Sequence, residues 1–281
     1  MLFVVEGGST KADWMLSDGE KMIARFSTIG FNPYFHTSDF IYNTLSSDSE
    51  LSAFMDVADE VRYFGAGCSS PEKNKIVEDG LKRFFTKARI YVDHDLMACA
   101  YATCGDSEGI ACIIGTGSNS CYYDGKKVHE KNYGLGFILG DEGSGSYYGK
   151  KLVTSFLYGV MPEPISKAFY DNYRLDKNTV VRHVYNEPNA NVWLASLSRF
   201  LSDFRNEPWI HDLIIKGMHD FIDLYVIHYE NYKKIPVHFV GSLAYVFSEE
   251  LKEVASSREI QIGKIIKQPI DDLMNYFLSK K

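Results

Sequence analysis

The sequence predicts an α/β protein built as two mixed-sheet lobes of one design, and three observations predict it. Residues 2–5 form a short apolar run that enters the small polar loop Glu6-Gly7-Gly8-Ser9-Thr10-Lys11; residues 12–17 lead out of it to an Asp18-Gly19 turn and a third run at 22–28. The same plan recurs later: residues 110–114, the loop Gly115-Thr116-Gly117-Ser118-Asn119, residues 121–123, an Asp124-Gly125 turn and residues 126–129. The copies lie about 110 residues apart, a domain-sized interval. After the first meander, strands at 61–65 and 89–93 alternate with helical patterns, the order that builds a mixed sheet covered by helices.

The remaining elements follow from periodicity. In the first lobe helices are expected at 37–46, 72–86 and 95–104; in the second of these Ile76, Val77, Leu81, Phe84 and Phe85 mark one apolar face. The second lobe adds helices near 144–158, 163–173, 177–185, 190–204 and 209–232, then "VHFVGSLAYVF", a late strand, a Gly-Ser turn and a helix start. A last helix at about 270–278 places Ile270, Leu273, Met274, Phe277 and Leu278 on one side. No low-complexity linker separates the halves, so the boundary is expected as a hinge at 107–109, giving lobes 1–108 and 109–281, with the last helix a candidate to pack back on the first lobe.

Composition narrows the function. The 281 residues are enough for two cores, and 45% apolar content is that of a folded globular chain. A net charge of −7 argues against a nucleic-acid or anionic-membrane partner, yet leaves a nucleotide site open, because that needs only local donors and a metal. The run before Glu6 is too short for a signal peptide and lacks a basic start, and no stretch approaches the roughly 20 apolar residues of a spanning helix. Cys68, Cys99, Cys104, Cys112 and Cys121 are odd in number and form no Cys-x-x-Cys pair, the usage expected of reduced thiols in a cytoplasmic protein.

Each motif has a plain and a functional reading. The Gly115–Asn119 loop is a hairpin turn, or a cradle whose missing side chains let backbone N–H groups reach a phosphate. Two such loops in a duplicated chain would pinch a nucleotide between the lobes. Lys11 is a solvated loop lysine or a phosphate contact. In "VDHDLMACAYA" a strand ends and a helix begins, so Asp95 reads as an N-cap, and Asp93-His94-Asp95 are too close in sequence to converge on one metal ion. Asn32 before Pro33 reads as a turn residue. Gly143 and Gly145 open a helix whose N-terminus favours negative charge. Gly241 and Ser242 make a helix cap, or a bare surface for a base or ribose.

Taken together, "EGGSTKADW", "YFGAGC", "GTGSNS" and "LGDEGSG" resemble the N-acetylglucosamine kinase family, with the likeness running from Val5 to about Tyr276. That family is grouped with ATPase components of benzoyl-CoA-type and 2-hydroxyacyl-CoA dehydratase systems, within the actin-like ATPase superfamily that holds hexokinases and heat-shock chaperone ATPases. The resemblance implies a duplicated actin-like, ribonuclease H-like fold with a nucleotide and sugar cleft between its lobes. It implies ATP and Mg²⁺ as cofactors, with ATP held by Gly8, Ser9, Thr10, Thr116 and Gly117, and with Gly241 and Ser242 on the adenosine side. Glu6 would hold Mg²⁺ through water, although many family members carry Asp there. Asp95 matches the catalytic aspartate and touches the sugar, with Asp93 the fallback. Asn32, Ser118, Asn119, Gly134, Leu135, Gly136 and Asp141 match sugar-binding positions, Leu135 standing where related kinases often have Trp. Glu142 is open between a supporting role and a helix start.

The activity this implies is phosphorylation of an N-acetylated amino sugar, N-acetylglucosamine at its 6-hydroxyl, with N-acetylmuramic acid or glucosamine as alternatives. The rival from another class is an iron–sulfur ATPase activator, which needs accessible cysteines beyond the hairpins; "LGDEGSG" has none. A regulatory module that kept the fold and lost catalysis is the third reading. The partner expected is a small amino sugar, with a homodimer left open.

Overall fold

The computed structural model describes residues 1–8, 10–131 and 134–280. It contains two compact units. The first comprises Met1–Ser107, Gly125–Lys127 and the C-terminal segment from Gln268; the second comprises Glu108–Asp124 and Val128–Lys267. The C-terminal helix Ile270–Leu278 therefore belongs to the first unit, where Phe277 stacks on Phe64 at 5.9 Å and Tyr276 on Tyr101 at 4.5 Å.

The first sheet holds β1 (Leu2–Gly7), β2 (Lys11–Ser17), β3 (Met22–Ile29), β4 (Glu60–Gly65) and β5 (Arg89–His94) in the order β3-β2-β1-β4-β5. The meander pairs antiparallel, and β4 and β5 add in parallel beyond β1. The second sheet repeats this plan with β6 (Gly109–Ile114), β7 (Ser118–Tyr123), β8 (Val128–His129), β9 (Val237–Val240) and β10 (Ile262–Ile266) in the order β8-β7-β6-β9-β10. The repeat seen in two hairpin sequences is thus a repeat of whole sheets. This is the α/β duplicated actin-like architecture.

Local chemistry sets the elements. Ser70 caps the helix Pro71–Phe84 by accepting from Lys73 N at 3.3 Å, with Pro71 preset at the first helical position. That helix buries Val77, Leu81 and Phe84 in an aromatic core around Trp14, where Phe3, Phe31, Tyr63 and Phe85 all approach the indole within 6.5 Å. Truncating Trp14 to Ala would cost about 3–5 kcal/mol. The second core gathers Tyr148, Phe169, Phe200, Phe221, Phe239 and Phe247, all fully buried.

Several expected boundaries are corrected. The helix expected at 209–232 is Pro208–Phe221 followed by a π-helical turn, Ile222–Val226. The span 190–204 is two helices, Ala190–Leu197 and Arg199–Asp203, and 177–185 is Lys177–Val181 running into a π-helical turn at Arg182–Asn186. Strand β10 carried no alternation to announce it; its Gly263 leaves room for the His238 ring, which a Cβ would meet at 2.4 Å.

Candidate active site

In the first unit the candidate residues gather at the C-terminal ends of parallel strands, the usual ligand edge of such sheets. Glu6 and Asp13 face each other across β1 and β2. Asp13 is buried; its Oδ1 accepts from Lys11 Nζ at 2.6 Å and Ser27 Oγ at 3.1 Å, and its Oδ2 from Gln268 Nε2 at 3.4 Å. Lys11 is thus an ion-pair partner of Asp13. Burial pushes the Glu6 carboxyl up to about 8, with Asp95 and Asp13 adding to the rise and Lys11 opposing it. In the loop itself, Gly8 is half-exposed, Thr10 is exposed and Ser9 lies outside the described residues.

Asp95 opens the helix Asp95–Cys104, but it is not the cap. That role falls to His94, whose backbone is extended (φ −71°, ψ 150°) and whose Nδ1 accepts from Leu96 N at 3.3 Å. The capping reading of Asp95 is therefore corrected. Asp95 is the first helical residue, and its Oδ1 lies 3.1 Å from His94 Nδ1. Asp93 instead turns back on the chain and accepts from His94 N at 2.8 Å. Asn32 fulfils its turn reading: its Oδ1 accepts from Tyr34 N at 3.0 Å and lies over Gly67 (φ +81°), where a Cβ would sit 2.5 Å from it.

In the second unit the hairpin tip is closed by its own backbone. Gly115 N donates to Gly117 O at 2.9 Å; Gly115 O and Thr116 O accept from Gly145 N and Ser146 N at 2.8 and 3.0 Å. Tyr147 N donates to Ser144 Oγ at 3.2 Å. The first donors of the helix Gly145–Leu157 are therefore spent within the protein, which corrects the expectation that its N-terminus attracts an anion.

Asp141 lies against this tip. A Cβ on Gly117 would meet its Oδ2 at 2.8 Å, and its Oδ1 faces Ser118 N at 3.4 Å. Burial raises its carboxyl to about 6, against the Ser118 N–H and Lys150. Ser118 is buried and its Oγ donates to Glu142 O at 2.8 Å, so toward a ligand that hydroxyl acts as an acceptor. Asn119 Oδ1 accepts from Ser120 N at 2.9 Å, and Gly134 lies beside the Asn119 amide nitrogen. Leu135 is 61% exposed and precedes the short helix Gly136–Leu139, whose Phe137 carbonyl accepts from Lys150 Nζ. The structure thus joins Gly117, Ser118 and Asp141, and pairs Asn119 with Gly134.

Gly241 is explained by packing. Its φ is +127°, a Cβ would sit 2.3 Å from Ile114 O, and its N–H donates to Ile266 O at 3.0 Å. Its bare face therefore meets strand β6, and Gly241 itself caps the helix Ser242–Val246. Sequence reasoning passed over Asp13, Lys150 and Tyr225. For Asp13 a signal existed, since a charged residue interrupts the apolar strand "ADWML"; Tyr225 sits in a π-helical turn that no periodicity reveals.

No family model matches the chain, and no curated protein matches it. Solved structures do. A protein from Porphyromonas gingivalis, described as a "putative N-acetylglucosamine kinase", is 35% identical over 99% of both chains, with a TM-score of 0.94. The chain belongs to the N-acetylglucosamine kinase family. With that membership it joins the sugar kinases of the actin-like ATPase superfamily. A Chromobacterium violaceum protein with the same description shares the fold at 18% identity, covering 99% of this chain and 98% of that one, with a TM-score of 0.73. So does a ROK family glucokinase from Streptomyces griseus, solved with glucose and AMPPNP, at 11% identity over 98% and 97% of the two chains and a TM-score of 0.54. The iron–sulfur alternative gains no support: Cys68, Cys99, Cys112 and Cys121 are buried, and among the described residues no group of three His, Cys, Asp or Glu could hold a metal. Among those residues, too, no helix is long and apolar enough to cross a membrane.

Proposed function

We propose that this sugar kinase transfers the γ-phosphoryl group of ATP to the 6-hydroxyl of N-acetylglucosamine. The observation that carries the reading is the state of Asp95: a carboxylate at the end of a parallel strand, released from capping by His94. Such a carboxylate can orient the sugar hydroxyl and take its proton as the new O–P bond forms and the bond to ADP breaks. Asp141, with Ser118, Asn119, Gly134, Leu135 and Gly136 around it, is assigned to the sugar, and Asn32 offers its amide nitrogen. Gly8, Ser9, Thr10, Thr116 and Gly117 are assigned to the phosphates, and Ser242 with the exposed edge of Gly241 to the adenosine.

The donor set fits Mg²⁺. The Glu6 carboxyl, driven up to about 8 by burial and two neighbouring carboxylates, is a place where a hard, oxygen-seeking cation relieves repulsion. When bound, the ion supplies charge neutralisation for the phosphates; Glu6 and its neighbour Asp13 would hold it.

The test is a panel of N-acetylglucosamine, glucosamine, glucose and N-acetylmuramic acid with ATP and Mg²⁺, read by ADP release, product mass and NMR of the phosphorylated position. N-acetylglucosamine 6-phosphate is expected, because a site built to hydrogen-bond an N-acetyl arm rejects sugars lacking it. Equal kcat/KM for glucose would contradict that recognition. A preference for N-acetylmuramic acid would move the assignment to the second reading, which is motivated by Leu135 standing where related kinases often have the larger Trp.

A further inference from the structure

We propose that Tyr225 is a positioning residue for the sugar site: its hydroxyl holds the Asp141–Glu142 turn in the shape that presents the Asp141 carboxylate. The inference rests on the assignment of Asp141 to the sugar. Asp141 has a left-handed backbone (φ +61°), a conformation that a non-glycine residue keeps only when its surroundings impose it. One atom does much of the imposing. The Tyr225 hydroxyl accepts from Asp141 N at 3.1 Å and donates to Glu142 Oε2 at 3.1 Å, so it ties two consecutive residues of the turn from one point.

The placement of Tyr225 comes from the π-helical turn Ile222–Val226, in which Ile227 N reaches back to Ile222 O at 3.1 Å. Such turns inside longer helices are frequent at functional sites. Here Tyr229 N bonds to Val226 O, and the Tyr225 carbonyl accepts instead from Ser120 Oγ at 2.6 Å. Tyr225 therefore grips the β7 strand with its backbone and the Asp141–Glu142 turn with its side chain. Its ring stacks on Phe221 at 5.0 Å with planes 6° apart, so the hydroxyl stands on a rigid support. Removing the hydroxyl leaves that ring packing intact, which separates positioning from folding.

The experiment measures KM for N-acetylglucosamine and for ATP, kcat and Tm in wild type, Tyr225→Phe and Asp141→Asn. Misplaced binding groups cost up to about 10²-fold; for Tyr225→Phe the expectation is a rise in sugar KM of about tenfold, with kcat and ATP KM within about twofold and Tm nearly unchanged. An unchanged sugar KM in Tyr225→Phe beside a raised one in Asp141→Asn overturns the role of Tyr225 and leaves the sugar site standing. An unchanged sugar KM in Asp141→Asn overturns the assignment of Asp141, and with it the proposal. Equal losses for sugar and ATP with a lowered Tm make Tyr225 a general structural residue and also overturn it. Should Tyr225→Phe not fold, Glu142→Ala removes the acceptor from the other side; it is expected to raise sugar KM selectively, and a normal value overturns the proposal.

Discussion

The two hairpins come from one plan and have been finished differently. The β1–β2 loop leaves Gly8 and Thr10 open to solvent, above a group of carboxylates in which Glu6 faces Asp13. The β6–β7 tip is closed by its own carbonyls, and Asp141 fills the space that a side chain on Gly117 would take. The first gathers carboxyl groups closely enough that burial and its neighbours keep Glu6 protonated up to about 8, while Lys11 pairs with Asp13; under the proposed function this is the side of the cation and of proton transfer. The second spends its donors internally and offers a few fixed polar groups, which suits recognition of a neutral sugar. Under the proposed function the duplicated fold divides its labour by how each turn is satisfied, with Thr116 and Gly117 of the second tip still left to the phosphates.

The sharpest way to break this comparison is Asp95→Asn. The amide cannot accept a proton, and general-base catalysis is worth about 10²–10⁴-fold, so kcat should fall by that much, toward the lower end because the proton leaves late in phosphoryl transfer. Since His94 is the cap, Tm should stay near wild type. Near-normal kcat would remove Asp95 from the chemistry.

Asp141→Asn comes next. A hydrogen bond to a charged group is worth about 1.5–3 kcal/mol, so sugar KM should rise by roughly 10- to 100-fold. Because the Asp141 carboxyl is raised to about 6, the wild-type kcat/KM for sugar should fall as pH drops through that value, and the variant should lack that component. A variant profile that keeps the same fall would assign it elsewhere. Gly117→Ala probes the same contact from the hairpin. The new methyl group at 2.8 Å from Asp141 Oδ2 obliges that carboxylate to turn aside, so the expected effect is a raised sugar KM with little change in a denaturation curve; an unchanged sugar KM would contradict the seating of Asp141 on the tip as a sugar contact.

Glu6→Gln is read through stability against pH rather than through turnover. Glu6 holds its proton more tightly folded than unfolded, so its contribution to stability is complete below about 4.5 and is lost as pH rises toward about 8. Gln does not ionise, so the Tm of the variant should gain on wild type across that window, and Mg²⁺ should raise the wild-type Tm at pH 8 more than that of the variant. Parallel curves would contradict the charge cluster.

Much of this was legible in the sequence. The repeated meander and the mixed, helix-covered sheet followed from the pattern, although the order of the strands and β10 did not; Asp95 and Asp141 were singled out through the family resemblance of their motifs. Their local states did not. That His94 takes the cap runs against side-chain preference, which favours Asp, and follows from where the strand ends and the helix begins. That Gly241 is bare for Ile114, and that Asp13 lies buried beside Glu6, are contacts between residues far apart in sequence. Tyr225 was hidden because a π-helical turn shifts the register that periodicity reads.

The most direct test of the division of labour is calorimetric titration of N-acetylglucosamine into Asp95→Asn and Asp141→Asn without nucleotide. The account predicts that Asp95→Asn keeps its affinity within about threefold, since Asn still hydrogen-bonds the hydroxyl, whereas Asp141→Asn loses about tenfold or more. The reverse pattern, with binding lost in Asp95→Asn and kept in Asp141→Asn, would contradict it.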